Sequence, residues 1–382
     1  MIKVAQLTID AREAFREYDK LEPYFGQAPQ ALLQGFAHLP DTEVHVVCCI
    51  QKPMASPEKL APNIYYHGLV VPKIGWLRTG YQGCVRAMRR KLAELKPDMV
   101  HGQGTERDCA LGAAFSGFPN VLTIHGNMRI IATLNGARPL SYQWLAARLE
   151  RFTLPRVGGV MCITRYTQEA VSALARQTWV VPNAVDETFF DIHPKRPQGS
   201  RKIICVGTVC YRKNQNEFIR ALDPLAKDHD LEVIFLGEAP ESDPYCQEFF
   251  GLLKDRSWCV YGGFADRDTM RGYFREATAL ALPTNEDNCP MVVLEAMASR
   301  VPVLASRVGG VPELIESERT GLFCMPDDRA SMETGMRRLI EDEALAERLA
   351  TDAHESARQR FHPEVIARRH VEIYEEMLER RG

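Results

Sequence analysis

With 382 residues, 25% of them charged and 45% hydrophobic, the chain has ordinary globular composition and length enough for two domains of typical size. Its net charge of −3 supplies no overall attraction to nucleic acid, whose binders draw most of their affinity from a basic face, so nucleic acid is excluded as an expected partner. The opening MIKVAQLTID is too polar and short for a signal peptide, and no window reaches the roughly 18 apolar residues of a membrane span, which points to the cytoplasm. Eleven cysteines are scattered, many in apolar runs and none in a CxxC pair, so they read as buried reduced thiols with neither disulfide nor zinc site.

From the N-terminus onward, short β-branched runs alternate with longer helical patterns. KVAQLTI, EVHVVCCI, MVHGQG and NVLTIHG are the predicted strands of the first half. RAMRRKLAELK between them is a basic helix without a strong aromatic flank, and reads as a solvated face, not a membrane contact. The stretch VVPNAVDETFFDIHPKRPQGSRK turns polar and proline-rich after Asp186, which marks a linker and a boundary near residues 185 to 200. KIICVGT, the helical NEFIRALDPLAKD, EVIFLGE, CVYGGF, ALALPT, the helical PMVVLEAMAS and VPVLAS follow. A charged amphipathic helix ends the chain, and its apolar Val365, Ile366, Val371, Ile373, Met377 and Leu378 need a surface to cover. This rhythm predicts an α/β protein with two Rossmann-like, parallel-sheet units.

Ligands of open α/β sheets gather at the carboxyl ends of strands, so the residues just after each apolar run are the candidates. The richest stretch is ALALPTNEDNCPMVVLEAMASRVPVLAS. Its strand is expected to end near Pro283, and Pro290 suits the first turn of a helix, where its missing N–H costs nothing. The backbone amides of Cys289, Met291 and Val292 then suit a diphosphate or a sugar hydroxyl. Glu295 lies one turn beyond Met291 on the same face, so an acid in the loop (Glu286 or Asp287) and Glu295 could flank one ligand. The plainer alternative is that Asp287 and Asn288 cap the helix. Asp266 and Asp268 form a DxD, but they stand at a helix start, where capping explains them better than a metal does.

The stretch closely resembles the acid-seven-residues-acid signature of glycosyltransferase family 4, retaining enzymes with two Rossmann-like domains in the GT-B fold. LEAMAS, ASRVGGVPELI and TGLFCMPDD continue the match, while CVGTVCYRKNQ resembles the phosphate-contacting loop of that family, VVPNAVDETFF its interdomain entry and LTIHGN its N-domain histidine turn. Asp287 takes the first-acid position by spacing, since it and Glu295 enclose seven residues where Glu286 and Glu295 enclose eight; the family has Glu there, and Glu286 stays an alternative. The resemblance implies that the first acid binds donor sugar hydroxyls and Glu295 the nucleotide ribose. It also makes Lys213 the counter-charge of the donor diphosphate, with Arg212 replacing an arginine that the family has after the glycine, where this chain has Gly207 and then Thr208. His125 is placed beside the reacting sugar, Gly309 and Gly310 form a loop that approaches the ligand, and His101, Gly104, Thr105 and Glu106 line the cleft. A plain turn remains open for the glycine pair, and so does a turn-bound histidine for His125.

The implied architecture is an acceptor-side domain over residues 1–185, a nucleotide-sugar donor domain over 186–362 facing it across a cleft, and a helix over 363–382 packing back on the first. The implied activity is retaining, metal-independent hexosyl transfer, in keeping with cell-envelope polysaccharide synthesis. A UDP- or GDP-sugar is the donor substrate, no cofactor is needed, and the acceptor is a glycan, a lipid-linked sugar or a small molecule. A lipid-linked acceptor would bring the protein to the inner face of the membrane. Acceptor contacts are expected in first-domain loops such as those around Trp76, Arg78, Met128 and Arg129. A nucleotide-sugar epimerase of the same fold, or a degenerate nucleotide-sugar binder suggested by Thr208, Ala184 and the short Asp287, are the competing readings.

Overall fold

The apolar run TEVHVVCCI forms a strand buried on both faces along nearly its whole length, as the middle of a parallel sheet covered by helices allows. The computed structural model describes residues 1–195 and 199–380. Residues 196–198 of the expected linker and 381–382 of the expected terminal helix therefore lie outside the described residues. The chain divides into two units, Met1–Ala184 together with the segment from His362 onward, and Val185–Phe361.

The first unit contains β1 (Ile2–Leu7), β2 (Thr42–Ile50), β3 (Lys59–Ala61), β4 (Ile64–Val70), β5 (Met99–Gln103), β6 (Asn120–Ile124), β7 (Gly159–Cys162) and β8 (Thr178–Val180). They form one sheet in the order β3-β4-β2-β1-β5-β6-β7-β8, parallel except for the β3–β4 pair at its edge. Four of these strands, β3, β4, β7 and β8, are absent from the sequence reading. They are short or, in β4 (IYYHGLV), mix aromatic residues with histidine and glycine, so no β-branched run announces them.

The second unit contains β9 (Arg201–Val206), β10 (Leu231–Leu236), β11 (Cys259–Gly263), β12 (Ala279–Leu282), β13 (Val303–Ser306) and β14 (Leu322–Cys324). Its order, β11-β10-β9-β12-β13-β14, is parallel throughout. That is the doubly wound Rossmann order, whose crevice opens where the winding reverses, between β9 and β12. The helix expected over NEFIRALDPLAKD is broken into Gln215–Leu222 and Leu225–Asp228, because Pro224 cannot supply the amide a continuous helix needs there. Ten of the eleven cysteines are buried, Cys210 being half-buried. Among the described residues no helix is long and apolar enough to cross a membrane.

The last helix, Pro363–Glu379, belongs to the first unit. Its Ile366, Ala367, Ile373, Tyr374 and Met377 enter the apolar core beside Phe36 and Val46. Val365, expected on the covered face, is 39% exposed; the buried stripe instead runs through Ile366, His370, Ile373 and Met377 at helical spacing. Gly35 permits this docking, since a β-carbon there would fall 2.1 Å from the Pro363 carbonyl oxygen. The Tyr374 hydroxyl reaches Nδ1 of His101 at 2.6 Å. Tyr374→Phe should therefore cost about 1 kcal/mol through the lost hydrogen bond, and Tyr374→Ala about 3–5 kcal/mol through the cavity as well. Denaturant midpoints check this, and two equal, small shifts would mean that the helix is not part of the core.

Candidate functional site

Loops leaving the carboxyl ends of β9, β12 and β13 are tied into one assembly where the winding of the second unit reverses. Gly207 follows β9 at φ 143°, and a β-carbon there would press to 3.2 Å from Cε of Lys213, so the glycine lets the lysine stem lie across the turn. Thr208 is exposed beside it, and its carbonyl accepts a hydrogen bond from Nε2 of Gln215 at 3.2 Å. Lys213 ends a single 3-10 turn, Tyr211–Lys213. The amide of Asn285 donates to the Arg212 carbonyl at 2.7 Å, and Nδ2 of Asn285 donates to that of Tyr211 at 2.8 Å.

This stitching aims the Lys213 ammonium at Oδ2 of Asp287, to which it donates, with both side chains only 13% exposed. Nη1 of Arg212 stands 3.7 Å from the same oxygen and 3.8 Å from the Glu286 carboxylate, and it donates to the Glu286 carbonyl at 3.0 Å. Burial, and then the nearby charge of Asp287, push the Glu286 carboxyl above its ordinary range. Gly309, at φ 54°, serves the acid loop directly: a β-carbon would fall 2.0 Å from the Asp287 carbonyl oxygen, which also accepts the Gly310 amide at 3.0 Å. Closeness to the acid loop thus accounts for the glycine at 309.

The helix after the acid loop runs over Met291–Ala298 with no side-chain cap. Capping therefore does not explain Asp287, whose Oδ1 accepts the amide of Asn288 at 3.1 Å. Pro290 is the N-cap residue, one place earlier than the first-turn position expected for it, and Cys289 beside it is buried. The first amide engaged by the helix is that of Val293, bonded to the Pro290 carbonyl at 3.1 Å, so those of Met291 and Val292 precede the intrahelical ladder.

Glu295, in the second turn, is 3% exposed. Burial pushes its carboxyl up to about 7, against the pull of Arg267 and with an added push from Asp186. Nη1 of Arg267 bonds Oδ2 of Asp186 at 2.9 Å, while its Nε and Nη2 are buried without a hydrogen-bond partner among the described residues. Of these three residues the sequence marks only Glu295 as a site residue. Arg267 stands inside the DRD run, whose acids are used locally: Asp266 caps the helix through the Thr269 amide at 2.9 Å, and Asp268 pairs with Arg271.

In the first unit, His125 follows β6 with Nε2 2.8 Å from Oε1 of Gln103 and Nδ1 3.2 Å from Oδ1 of Asn183. Burial pushes it down to about 4, so it is neutral at physiological pH. His101 and Thr105 do not line an opening. Both are fully buried, His101 between the Tyr374 and Thr123 hydroxyls and Thr105 on the Glu150 carboxylate at 2.9 Å. Gly104 turns at φ 85°, and burial raises the Glu106 carboxyl. Trp76 and Met128 are likewise buried, while Arg78 is exposed and Arg129 pairs with Glu150 at 3.3 Å.

The raised Glu295 carboxyl carries a stability cost with a definite sign. Below its ordinary 4.5 both folded and unfolded chains hold the proton; as pH rises from there to about 7 the unfolded chain ionises first, so stability is lost. That shift amounts to about 3 kcal/mol. Glu295→Gln should therefore match the wild type near pH 4.5 and exceed it in unfolding free energy at pH 8 when ligand is absent. Urea titrations at the two pH values test this, and a difference independent of pH would refute it.

Two family models match the chain: "Glycosyl transferases group 1" over residues 186–356 and "Glycosyltransferase Family 4" over residues 31–189. An uncharacterized glycosyltransferase of Methanocaldococcus jannaschii is 28% identical over 182 residues, which cover 48% of this chain and 46% of that protein, so the match spans about half of the relative's length. Among solved structures, sucrose-phosphate synthase of Thermosynechococcus elongatus superposes with a TM-score of 0.79 at 18% identity over 99% of this chain and 100% of that one. HepE of Anabaena in complex with UDP-glucose does so with a TM-score of 0.71 at 16% identity over 98% and 100%. At these identities the structures speak for the fold, and the two sequence models, meeting near the boundary between the units, speak for the lineage. The chain belongs to glycosyltransferase family 4, the group 1 glycosyl transferases of GT-B fold.

Proposed function

We propose that the protein moves a hexosyl group, with retention and without a metal, from a nucleoside diphosphate-sugar to a hydroxyl of a glycan, lipid-linked or small-molecule acceptor. The observation that carries this reading is the Lys213–Asp287 pair flanked by Arg212 and Glu286 at the strand ends of the second unit. Two cations and two carboxylates offset one another there. A diphosphate takes over the ammonium and guanidinium, and Asp287, the first acid by spacing and by its bond to Lys213, turns to the sugar hydroxyls. As the bond from the anomeric carbon to the β-phosphate oxygen breaks, negative charge grows on the leaving diphosphate, and fixed cations lower that barrier.

Glu295 accepts the two vicinal ribose hydroxyls in its ionised form. A UDP-sugar is favoured as donor because a structural neighbour is bound to UDP-glucose. GDP-sugars are the next to test.

Lys213→Ala and Glu295→Ala should each lower turnover at least about a hundredfold while melting as folded proteins, read as nucleoside diphosphate release from a panel of UDP-, GDP-, ADP- and CMP-sugars with sugar acceptors. Near-normal rates in either variant would sink the donor assignment, and conversion of the donor sugar without an acceptor would make the protein an epimerase. Arg267 has its own signature. Arg267→Met leaves Glu295 without its cationic neighbour, so its carboxyl ionises only at higher pH. The kcat/KM for donor should then fall at pH 7 and recover as pH rises above 8, with Arg267→Lys restoring the wild-type profile. A loss that is the same at every pH would assign Arg267 to structure alone.

A further inference from the structure

We infer that the helical hairpin after β6, residues 128–156, is a docking surface for an anionic lipid bilayer. The inference stands apart from the donor reading, because it concerns residues of the first unit that play no part in gripping a nucleotide.

Two helices, Met128–Leu134 and Tyr142–Thr153, form the hairpin. At its tip Leu134, Leu140 and Tyr142 are 57%, 77% and 49% exposed. Leu140 is held at φ 66°, a left-handed conformation that is strained for a residue with a side chain, and the strain presents a leucine to water. Toward the other end of the second helix Phe152 packs near Phe115, with ring centroids 6.1 Å apart, at 43% and 41% exposure.

Charge reinforces the pattern. No acidic residue occurs between Asp108 and Glu150, whereas Arg129, Arg138, Arg148, Arg151 and Arg156 all fall within the hairpin. Glu150 turns inward to Thr105, to the Met128 amide and to Arg129, so its charge does not offset the exposed Arg138, Arg148, Arg151 and Arg156. The Arg148 guanidinium lies 4.6 Å from the Trp144 ring centre and that of Arg156 3.8 Å from Phe152. Arg148 and Arg151 also line an open groove of about 390 Å³ beside Trp144, a place for a lipid phosphate; Arg129 on its wall is held by Glu150.

An apolar tip on a hairpin that also carries exposed arginines and interfacial aromatics suits a bilayer surface, which needs no matching shape: the tip enters the acyl boundary and the guanidiniums meet anionic headgroups. The other basic helix, Gln82–Leu95, lacks this arrangement. Its apolar Cys84, Val85, Met88 and Leu92 are all buried, and Lys91 is tied to Glu94.

Co-sedimentation of the full chain with vesicles, in the absence of nucleotide, tests the inference. The wild type should bind phosphatidylcholine vesicles containing phosphatidylglycerol at least about tenfold better than phosphatidylcholine alone, and the preference should fade as salt screens it. Leu134→Asp with Leu140→Asp, and separately Arg148→Glu with Arg151→Glu, should each lower binding at least about tenfold. These side chains are exposed, so the melting temperature should hold. Arg86→Glu with Arg90→Glu on the other basic helix should bind like the wild type. Equal binding to both vesicle types, unchanged binding by the hairpin variants, or an equal loss from the control pair would overturn the inference. So would concentration-dependent self-association through the tip in place of vesicle binding.

Discussion

A lysine and an aspartate 74 residues apart in sequence meet where the winding of the second sheet reverses, and the arrangement around that ion pair depends on their meeting. The glycine turn after β9 lets the Lys213 stem cross it. Arg212 is held by the loop after β12, and Gly309 and Gly310 fasten the Asp287 backbone from the loop after β13. Three loops that each belong to a different strand thus become one scaffold. The two opposite charges, each 13% exposed, hold each other in place, since either one left alone at that burial would lack its compensating partner.

The second theme is a carboxyl kept where folding alone would not put one. Glu295 is surrounded by protein and pushed up to about 7, under the pull of Arg267, two of whose nitrogens, Nε and Nη2, are buried without a partner among the described residues. Both features oppose stability in the absence of ligand, and a bound ribose would relieve both, a pattern expected of a site in which strain and unmet polarity are retained for function. The first unit shows the complement. His125 is kept neutral by burial and oriented by Gln103 and Asn183.

The parallel α/β architecture was legible because central strands such as EVHVVCCI and KIICVGT are continuous apolar runs. Edge and terminal strands such as β3 and β8 carry no such mark, since half-exposed strands of three residues have no period to read. The acid loop could be placed by motif spacing and Lys213 by the resemblance of its loop to the family's, and the structure brings the two together. What spacing could not show was the pull of Arg267 on Glu295, because it joins the helix after β11 to the helix after β12 and leaves no local pattern. His101 erred in the opposite sense: a histidine at a strand end looks accessible in sequence, yet the C-terminal helix, more than 250 residues later, covers it with Tyr374.

The most direct test of the account is a crystal structure of the protein with a nucleoside diphosphate, UDP or GDP, bound. The account predicts phosphate oxygens on Lys213 and Arg212, ribose hydroxyls on Glu295, and the Lys213–Asp287 bond opened. A nucleotide bound elsewhere, with Lys213 still closed on Asp287, would contradict it.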